Sequence, residues 1–504
     1  MAGDEERPGS SRSAAGAVAP AESAVSDGAL RPEEVHLAPL SPARFEDLLD
    51  PESWSRFAKG MELARRLLEG RAVWNVNSTA AGGGVAEMLR SFVAYSRGAG
   101  IDMRWAVIDG TPEFFQVTKR IHNLLHGNPG DGGPLGAKEA RLYASVTRRN
   151  AEELKPAIRP GDVVLLHDPQ TAGLTEGVKD AGAAVVWRSH VGAAEPNALV
   201  EQAWHFLTPY LERADACIFS RQAYVPPWAQ SVHVEVIAPS IDAFSPKNQQ
   251  LERDSILAIL THVGLLGGDP PGGAFPSFVR SNGSPGHVEH VCEVTSAGPL
   301  PRGETPLVVQ VSRWDRLKDP TGVMLGFAQD ALDHTGAHLI LAGPSVNGVA
   351  DDPEGAEVLG ETSAAWRKLA QHRRSRIHLA CLPMREIEEN AAIVNALQRQ
   401  ASIIVQKSRE EGFGLTVAEG MWKSRPVVAS AVGGILEQIE DGRTGRLLAD
   451  PADLASFGEI LKHLFEEPGE AAAIGRRAHD HVKANFLLDR HALQYVRLLQ
   501  ELLG

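Results

Sequence analysis

The chain has 504 residues, more than one hydrophobic core usually organises, so two domains of about 150–250 residues each are expected. Its composition is that of a globular protein, with 43% apolar and 23% charged residues and a formal net charge of -14. That charge argues against nucleic acid or an anionic membrane as a partner, because both require a positive face. Three widely spaced cysteines fit neither a disulfide framework nor a zinc cluster, and they indicate a reducing compartment.

The N-terminal segment 1–32 is rich in alanine, glycine, serine and proline and has no apolar periodicity, so we expect a disordered extension. It lacks the apolar centre of a signal peptide, and no stretch of about 18 apolar residues follows it. These observations predict a soluble, cytoplasmic protein without stable membrane insertion.

From residue 33 onward, short β-rich runs alternate with amphipathic segments, which is typical of βαβ units with a parallel sheet. The run 33–240 predicts an N-terminal Rossmann-like domain. Its predicted strands are Ala72–Val76, Met103–Ile108, Val163–Leu166, Ala184–Trp187, Ala216–Phe219 and Val234–Ile237.

The segment 241–304 is interrupted by glycine, proline and serine, above all after residue 264, and we interpret it as a linker or insertion. A second Rossmann-like domain is predicted over 305–475. Its predicted strands are Leu307–Val311, His338–Leu341, Arg376–Leu379, Ser402–Val405 and Val427–Ala429.

The segment 476–504 is predicted to end the chain in a helix. Apolar residues recur at helical spacing from Asp489 to Leu503, so this helix needs a surface to cover, and the first domain is the expected one. The fold class is therefore α/β, with two doubly wound domains facing a central cleft.

Ligands of such sheets bind beyond the carboxyl ends of the strands, where several polar or glycine-rich segments lie. After the first strand, Gly82–Gly84 leads into a helix, so backbone amides and the helix N-terminus could hold an anion. A tight βα turn explains the same glycines. The loop lacks the GxGxxG spacing of dinucleotide-binding proteins, which disfavours an oxidoreductase.

Titratable residues follow two further strands of the first half. His167, Asp168 and Gln170 come directly after one strand, and Arg188 and His190 end the next. They predict a cleft that hydrogen-bonds a hydroxylated ligand. The alternative is that Asp168 caps the following helix, with a proline at its first position, although capping would not explain both histidines.

In the second half, Arg313 and Lys318 follow the first strand and are suited to a diphosphate. A solvated charged loop is the alternative. Further on, the stretch Glu411-GFGLTVA-Glu419 places two carboxylates around a turn whose amides, Gly412–Leu415, could bind a phosphate. Carboxylates repel phosphate, so we expect Glu411 to accept from a sugar hydroxyl and Glu419 from a ribose hydroxyl, unless both are simply solvent-facing or capping residues.

Together these segments resemble the retaining glycosyltransferases of family 4, which have the two-domain GT-B fold and two glutamates separated by seven residues. The similarity includes the stretch Gln310–Pro320 and the glycine loop, and it covers the chain from about 35 to 503. Within the family, Asn75–Glu87, Phe114–Lys119, His167–Gln170 and Trp187–His190 are most similar to trehalose synthases and to retaining trehalose phosphorylases. The insertion and the N-terminal extension depart from the pattern.

This resemblance implies transfer of glucose from a nucleoside diphosphate glucose to glucose, giving α,α-trehalose, without a metal or other cofactor. A trehalose phosphorylase, a family member with another acceptor and an inert sugar-nucleotide-binding protein remain alternatives. The partners would be small molecules only, and a homodimer is left open. The implied catalytic residues are His190, Asp168, Arg313, Lys318 and Glu411; the donor-binding residues Gly83, Gly84, Arg313, Lys318, Glu411, Gly412, Phe413, Gly414, Leu415 and Glu419; the acceptor-binding residues Asn77, His167, Asp168, Gln170 and Arg188.

Overall fold

Two seven-stranded sheets organise the chain. The computed structural model describes residues 32–80, 83–329, 333, 335–346 and 353–504. The predicted extension, except for its last residue, and Gly82 lie outside these ranges. Each predicted strand is present, and its ends differ from the prediction by three residues at most.

The first sheet is almost entirely parallel and is covered by helices on both faces. Its order from edge to edge is β1-β3-β2-β4-β5-β6-β7, and only β1 is antiparallel to its neighbour. The strands are β1 (Glu33–Glu34), β2 (Val73–Asn77), β3 (Met103–Val107), β4 (Val163–His167), β5 (Ala184–Ser189), β6 (Ala216–Phe219) and β7 (His233–Val236). The helices are α1 (Pro51–Leu67), α2 (Gly83–Gly98), α3 (Pro112–Leu125), α4 (Ala137–Leu154), α5 (Thr175–Asp180) and α6 (Ala198–Leu211).

The connecting segment is structured, which corrects the expectation of a linker without elements of its own. It contains α7 (Arg253–His262), the hairpin of β8 (Ser277–Val279) and β9 (Pro285–His287), and β10 (Glu293–Thr295). Apolar residues of α7 are buried in the core of the second domain, and β10 adds an antiparallel edge to that domain's sheet. Residues 253–295 therefore pack with the second domain, whereas Asp242 at the start of the segment accepts hydrogen bonds from Ser91 and Tyr95 of the first domain.

The second sheet repeats the arrangement of the first, in the order β10-β13-β12-β11-β14-β15-β16. Its remaining strands are β11 (Leu307–Val311), β12 (His338–Pro344), β13 (Ile377–Leu382), β14 (Ile403–Gln406), β15 (Val427–Ser430) and β16 (Arg446–Leu448). The helices are α8 (Pro320–Phe327), α9 (Pro353–Lys368), α10 (Gln371–Arg374), α11 (Ile387–Gln400), α12 (Leu415–Trp422), α13 (Ile435–Gln438), α14 (Leu454–Glu466), α15 (Pro468–Asn485) and α16 (Leu488–Leu503).

Both sheets have a point at which the chain reverses its direction of winding. In the first sheet β2 lies between β3 and β4, and in the second β11 lies between β12 and β14. Loops that leave neighbouring strands at such a point diverge to opposite faces and open a crevice for ligands. The predicted site segments follow these strands or the adjacent β5.

The last helix returns to the first domain, as predicted. The chain crosses after α15, and Leu488, Tyr495 and Leu499 of α16 are buried together with Phe57 of α1 and Phe92 of α2. This burial removes the apolar stripe of α16 from water, which is the main source of stability for an amphipathic helix. Among the described residues we find no helix with the length and apolarity that crossing a bilayer requires.

Shortening one buried side chain of α16 tests how much this return stabilises the protein. Leu499 is 6% exposed, so Leu499→Ala should lower the free energy of unfolding by about 2–5 kcal/mol through lost burial and a cavity. Leu325→Ala removes the same atoms at a position that is 36% exposed, and it should cost less than about 1 kcal/mol. Thermal unfolding measures both. Equal losses would show that α16 is not part of the core.

Candidate active site

A buried pair of histidines lies at the carboxyl ends of β4 and β5. His167 Nδ1 is 3.1 Å from His190 Nε2, and His167 Nε2 is 3.1 Å from Asn75 Oδ1. Burial, reinforced by Arg188, lowers the pKa of His167 to about 3 and that of His190 well below its usual value, so both rings are neutral.

The bonds of this pair fix which nitrogens carry protons. The carboxamide oxygen of Asn75 can only accept, so His167 donates from Nε2 and accepts at Nδ1. His190 then donates from Nε2, which leaves its Nδ1 as a lone-pair acceptor. A neutral imidazole in this tautomer can accept a hydrogen bond from a sugar hydroxyl.

Asp168 holds an unusual backbone conformation directly after β4. Its φ of 64° lies in the left-handed region, which aspartate and asparagine tolerate better than most residues. The carboxylate accepts a hydrogen bond of 2.8 Å from the amide of His190, and burial raises the pKa of Asp168 to about 7. The side chain therefore positions the His190 backbone and titrates near neutrality.

An ion pair forms the opposite wall of the cleft. Lys318 Nζ lies 2.5 Å from Glu411 Oε2, and Ser408 Oγ donates to the same oxygen at 3.2 Å. The two side chains are only 18% and 10% exposed. One ammonium and one carboxylate are thus held side by side at the ends of β11 and β14, where the prediction placed them.

Helix α12 begins next to this pair without a side-chain cap. Its N-cap is Gly414, whose φ of 84° is left-handed. The amides of the first turn of an uncapped helix have no intrahelical acceptor, and together with the helix dipole they favour an anion. Leu415 is the first residue of this turn, whereas Phe413 is buried and packs on Phe486, so its ring serves the core.

The first domain approaches this turn closely at Gly84, where a Cβ would lie 2.7 Å from the Leu415 side chain. Within the second domain, a Cβ on Gly433 would lie 1.6 Å from the Glu411 carbonyl oxygen. Tyr224 Oη also donates to the Gly412 carbonyl at 2.8 Å across the cleft. Gly84 of the first domain therefore faces the turn that begins α12.

Glu419 lies deeper in α12 and is 2% exposed. Its Oε1 forms an ion pair of 2.9 Å with Lys247, while its Oε2 is buried and has no hydrogen-bond partner. Glu419 and Leu415 line a cavity of about 510 Å³ between α2 and the loop that follows β13. A buried carboxylate oxygen without a partner, on a residue that lines such a cavity, is suited to accepting from a hydroxyl.

Arg313 occupies the rim of the cleft. Its side chain is 60% exposed and forms an ion pair of 2.7 Å with Asp315. Burial lowers the pKa of His122 to about 3, and the charges of His126 and Arg313 contribute to the same shift. Arg313 is therefore available to a charged ligand without being buried in the site.

Arg188 requires a correction. It was expected to contact the acceptor, but its guanidinium is fully buried and bonded to His491, Tyr495 and the Ile237 carbonyl. It anchors α16 to the first domain. Its charge also keeps His167 and His190 neutral, an indirect contribution to the site.

Two other residues predicted to bind the acceptor, Asn77 and Gln170, differ in whether their side chains have a free hydrogen-bonding atom. Asn77 donates to the Thr79 carbonyl at 2.7 Å and accepts from Trp105 at 2.8 Å, so both ends of its side chain already stabilise the loop after β2. Gln170 has a buried Oε1 without a hydrogen-bond partner and lies next to Asp168 in sequence. Contact of either residue with an acceptor stays a prediction.

Several residues near the site were missed as site residues in the sequence. His126, directly after α3, lies 3.5 Å from where a Cβ on Gly412 would stand. Lys247 and Glu87 form ion pairs beside Glu419, and Gln438 donates to the Gly414 carbonyl at 3.3 Å. None of them directly follows a strand, and the sequence prediction considered only residues that do. Glu87 alone gave a signal, because it lies in the first turns of the helix that follows the glycine loop.

Comparisons with protein families agree with this geometry. A family model described as "Trehalose synthase, N-terminal domain" matches residues 75–226, and one described as "Glycosyl transferases group 1" matches residues 295–481. The chain is 34% identical to the trehalose synthase of Rubrobacter xylanophilus over 447 residues, which are 88% of this chain and 93% of that relative. The trehalose phosphorylase of Grifola frondosa is 24% identical, and the match covers 81% of this chain but 54% of that protein.

Solved structures show the same fold. The α,α-trehalose-phosphate synthase (UDP-forming) of Burkholderia xenovorans, in complex with glucose-6-phosphate, aligns with a TM-score of 0.61 at 14% identity and covers 86% of this chain and 99% of its own. The sucrose-phosphate synthase of Thermosynechococcus elongatus aligns at 0.58 with 16% identity and covers the same shares. The predicted GT-B arrangement of two Rossmann-like domains is thereby confirmed.

Replacing Asp168 tests its raised pKa through stability. The folded pKa is about 7, whereas an unfolded aspartate titrates near about 4, so the folded state binds the extra proton between these values. The resulting stabilisation is complete below about pH 4 and is lost as the pH rises to about 7. Asp168→Asn cannot titrate and suits the left-handed backbone, so the melting temperature of wild type minus that of the variant should fall from pH 5 to pH 8.

The exposed Asp269→Asn provides the matched control. Its melting-temperature difference from wild type should not change over the same range. A constant difference for Asp168→Asn as well would show that its carboxyl does not titrate near neutrality.

Proposed function

The chain belongs to the trehalose synthase family, and we propose that it transfers glucose from a nucleoside diphosphate glucose to free glucose, forming α,α-trehalose with retention of the anomeric configuration. The observation that carries the proposal is the Lys318–Glu411 pair beside the uncapped start of α12, with the neutral His190 on the opposite domain. This arrangement offers positive charge to a phosphate and acceptors to hydroxyl groups within one cleft.

The donor diphosphate would be held by groups from both domains. Lys318 and Arg313 supply charge, the first amides of α12 supply directed donors, and Gly83 and Gly84 allow the first domain to close on them. Lys318 is now paired with Glu411, so a bound phosphate would take over the ammonium and release Glu411 to accept from the donor glucose.

The same groups would catalyse the departure of the nucleotide. As the glycosidic bond to the donor breaks, negative charge grows on the leaving phosphate, and preorganised cations and amides stabilise it. The leaving phosphate would take the proton of the incoming glucose hydroxyl, which attacks on the same face. His190 Nδ1 would accept from the primary hydroxyl of the donor sugar, while Asp168 and His167 orient the acceptor.

We expect this transfer to need no metal ion, because Lys318, Arg313 and the helix amides supply the charge that a divalent cation would otherwise supply. Turnover should be the same after dialysis against a chelator and after addition of magnesium. Loss of activity on chelation, restored by the metal, would contradict the expectation.

Incubation with a panel of nucleoside diphosphate glucoses and glucose tests the reaction itself. NMR of the product should show a disaccharide with two α-linked anomeric carbons. The distant similarity to trehalose phosphorylases makes phosphorolysis of trehalose to glucose 1-phosphate and glucose the second candidate. Release of glucose from trehalose that requires inorganic phosphate, without any nucleotide, would assign that activity instead.

Replacing Lys318 tests the phosphate assignment. Lys318→Ala removes the half-buried ammonium beside α12 and should lower kcat by at least about 100-fold, because each preorganised donor to a growing charge is worth that much. The matched control is Arg316→Ala, two residues earlier, which loses surface ion pairs with Glu354, Glu357 and Glu361 of α9. Its kcat should stay near wild type. Full turnover by the Lys318 variant would refute the assignment.

A further inference from the structure

Lys247 connects a helix of the first domain with a helix of the second. Its Nζ lies 3.0 Å from Glu87 Oε2 on α2 and 2.9 Å from Glu419 Oε1 on α12. One ammonium is therefore shared by two carboxylates that belong to different domains. Lys247 itself comes from the segment between the domains, so three separate parts of the chain meet at this point.

This ammonium carries the positive charge beside Glu419. Burial alone would lower the pKa of Lys247, but Glu419 and Glu87 outweigh it and raise that pKa above its usual value. Lys423, the other amine of the cluster, donates to the Glu419 carbonyl and to Asn248. Burial lowers the pKa of Lys423 well below its usual value, whereas the pKa of Lys247 is raised.

The pairing uses only one oxygen of Glu419. Oε1 meets Lys247, while the buried Oε2 has no hydrogen-bond partner. A buried carboxylate oxygen left unpaired costs free energy, and a ligand hydroxyl would remove that cost. Glu419, Lys247 and Glu87 all line the 510 Å³ cavity, which has room for a nucleoside.

We propose that Lys247 is a positioning residue for the nucleotide donor: it holds Glu419 by one oxygen, so that the other accepts from a ribose hydroxyl, and through Glu87 it ties the donor-loaded second domain to the first. The proposal rests on the proposed function, since it takes the donor to be a nucleoside diphosphate sugar. It assigns Lys247 and Glu87 a part in the reaction, although neither touches the reacting atoms.

Binding measurements separate this role from a purely structural ion pair. Calorimetry would compare wild type with Lys247→Met, using UDP, ADP and GDP, their 2′,3′-dideoxy analogues and inorganic pyrophosphate. The variant should lose at least about tenfold in affinity for the preferred nucleotide, the worth of a hydrogen bond to a charged group. It should lose little for the dideoxy analogue or pyrophosphate, which offer Glu419 no hydroxyl.

Three further variants complete the test. Lys247→Arg keeps the charge and should recover nucleotide affinity. Glu87→Gln keeps the Lys247–Glu419 pair, so nucleotide affinity should stay near wild type while kcat falls, because the link to the first domain is lost. If Lys247→Met does not fold, the double variant Lys247→Met with Glu87→Gln replaces it, because it removes the repulsion between the two carboxylates. Its affinities for the nucleotide, the dideoxy analogue and pyrophosphate are then compared in the same way.

The outcomes are distinguishable. If wild type binds none of the nucleotides, both the proposed function and this inference are overturned. If wild type and Lys247→Met bind the nucleotide with equal affinity, only the role of Lys247 is overturned. An equal loss for the nucleotide and pyrophosphate assigns Lys247 a general structural part, and unchanged kcat in Glu87→Gln overturns the link between the domains.

Discussion

The site depends on one constraint: the uncapped start of α12 must be reachable from the opposite domain. A helix N-terminus attracts an anion only when its amides are open, which excludes a capping side chain and requires the left-handed turn at Gly414. Gly84 of the first domain lies against this turn, where a Cβ would stand 2.7 Å from the Leu415 side chain, and within the second domain Gly433 lets the loop after β15 pack on the Glu411 carbonyl. The placement of Lys318 and Glu411 beside this turn follows from the ends of β11 and β14.

The two domains present side chains of different charge to the cleft. The second domain presents a cation and open amides, whereas the first presents imidazoles that burial and Arg188 keep neutral. Neutral histidines do not compete with Lys318 for an anion, and Nδ1 of His190 is left free to accept from a hydroxyl group, which a protonated ring could not do. The division matches a ligand that is charged at one end and hydroxylated at the other.

The sequence predicted the strands, the GT-B arrangement and the strand-end residues, because buried parallel strands are apolar runs and their ends face the crevice. It did not predict the role of Arg188, whose partners on α16 lie 303 and 307 positions away. Lys247 was missed for the same reason, since its carboxylates come from both domains. The glycine-rich connecting segment concealed a hairpin and a helix because it packs by tertiary contact more than by local propensity.

The return of α16 has a consequence for how the protein folds. The first domain leaves a groove between α1 and α2 that only residues from beyond the second domain can fill. Its native contacts therefore have a high contact order, and long-range closure of this kind slows folding. During synthesis the early half of the chain would expose that groove until the last helix emerges, so the two domains mature as one cooperative unit although each has a sheet of its own.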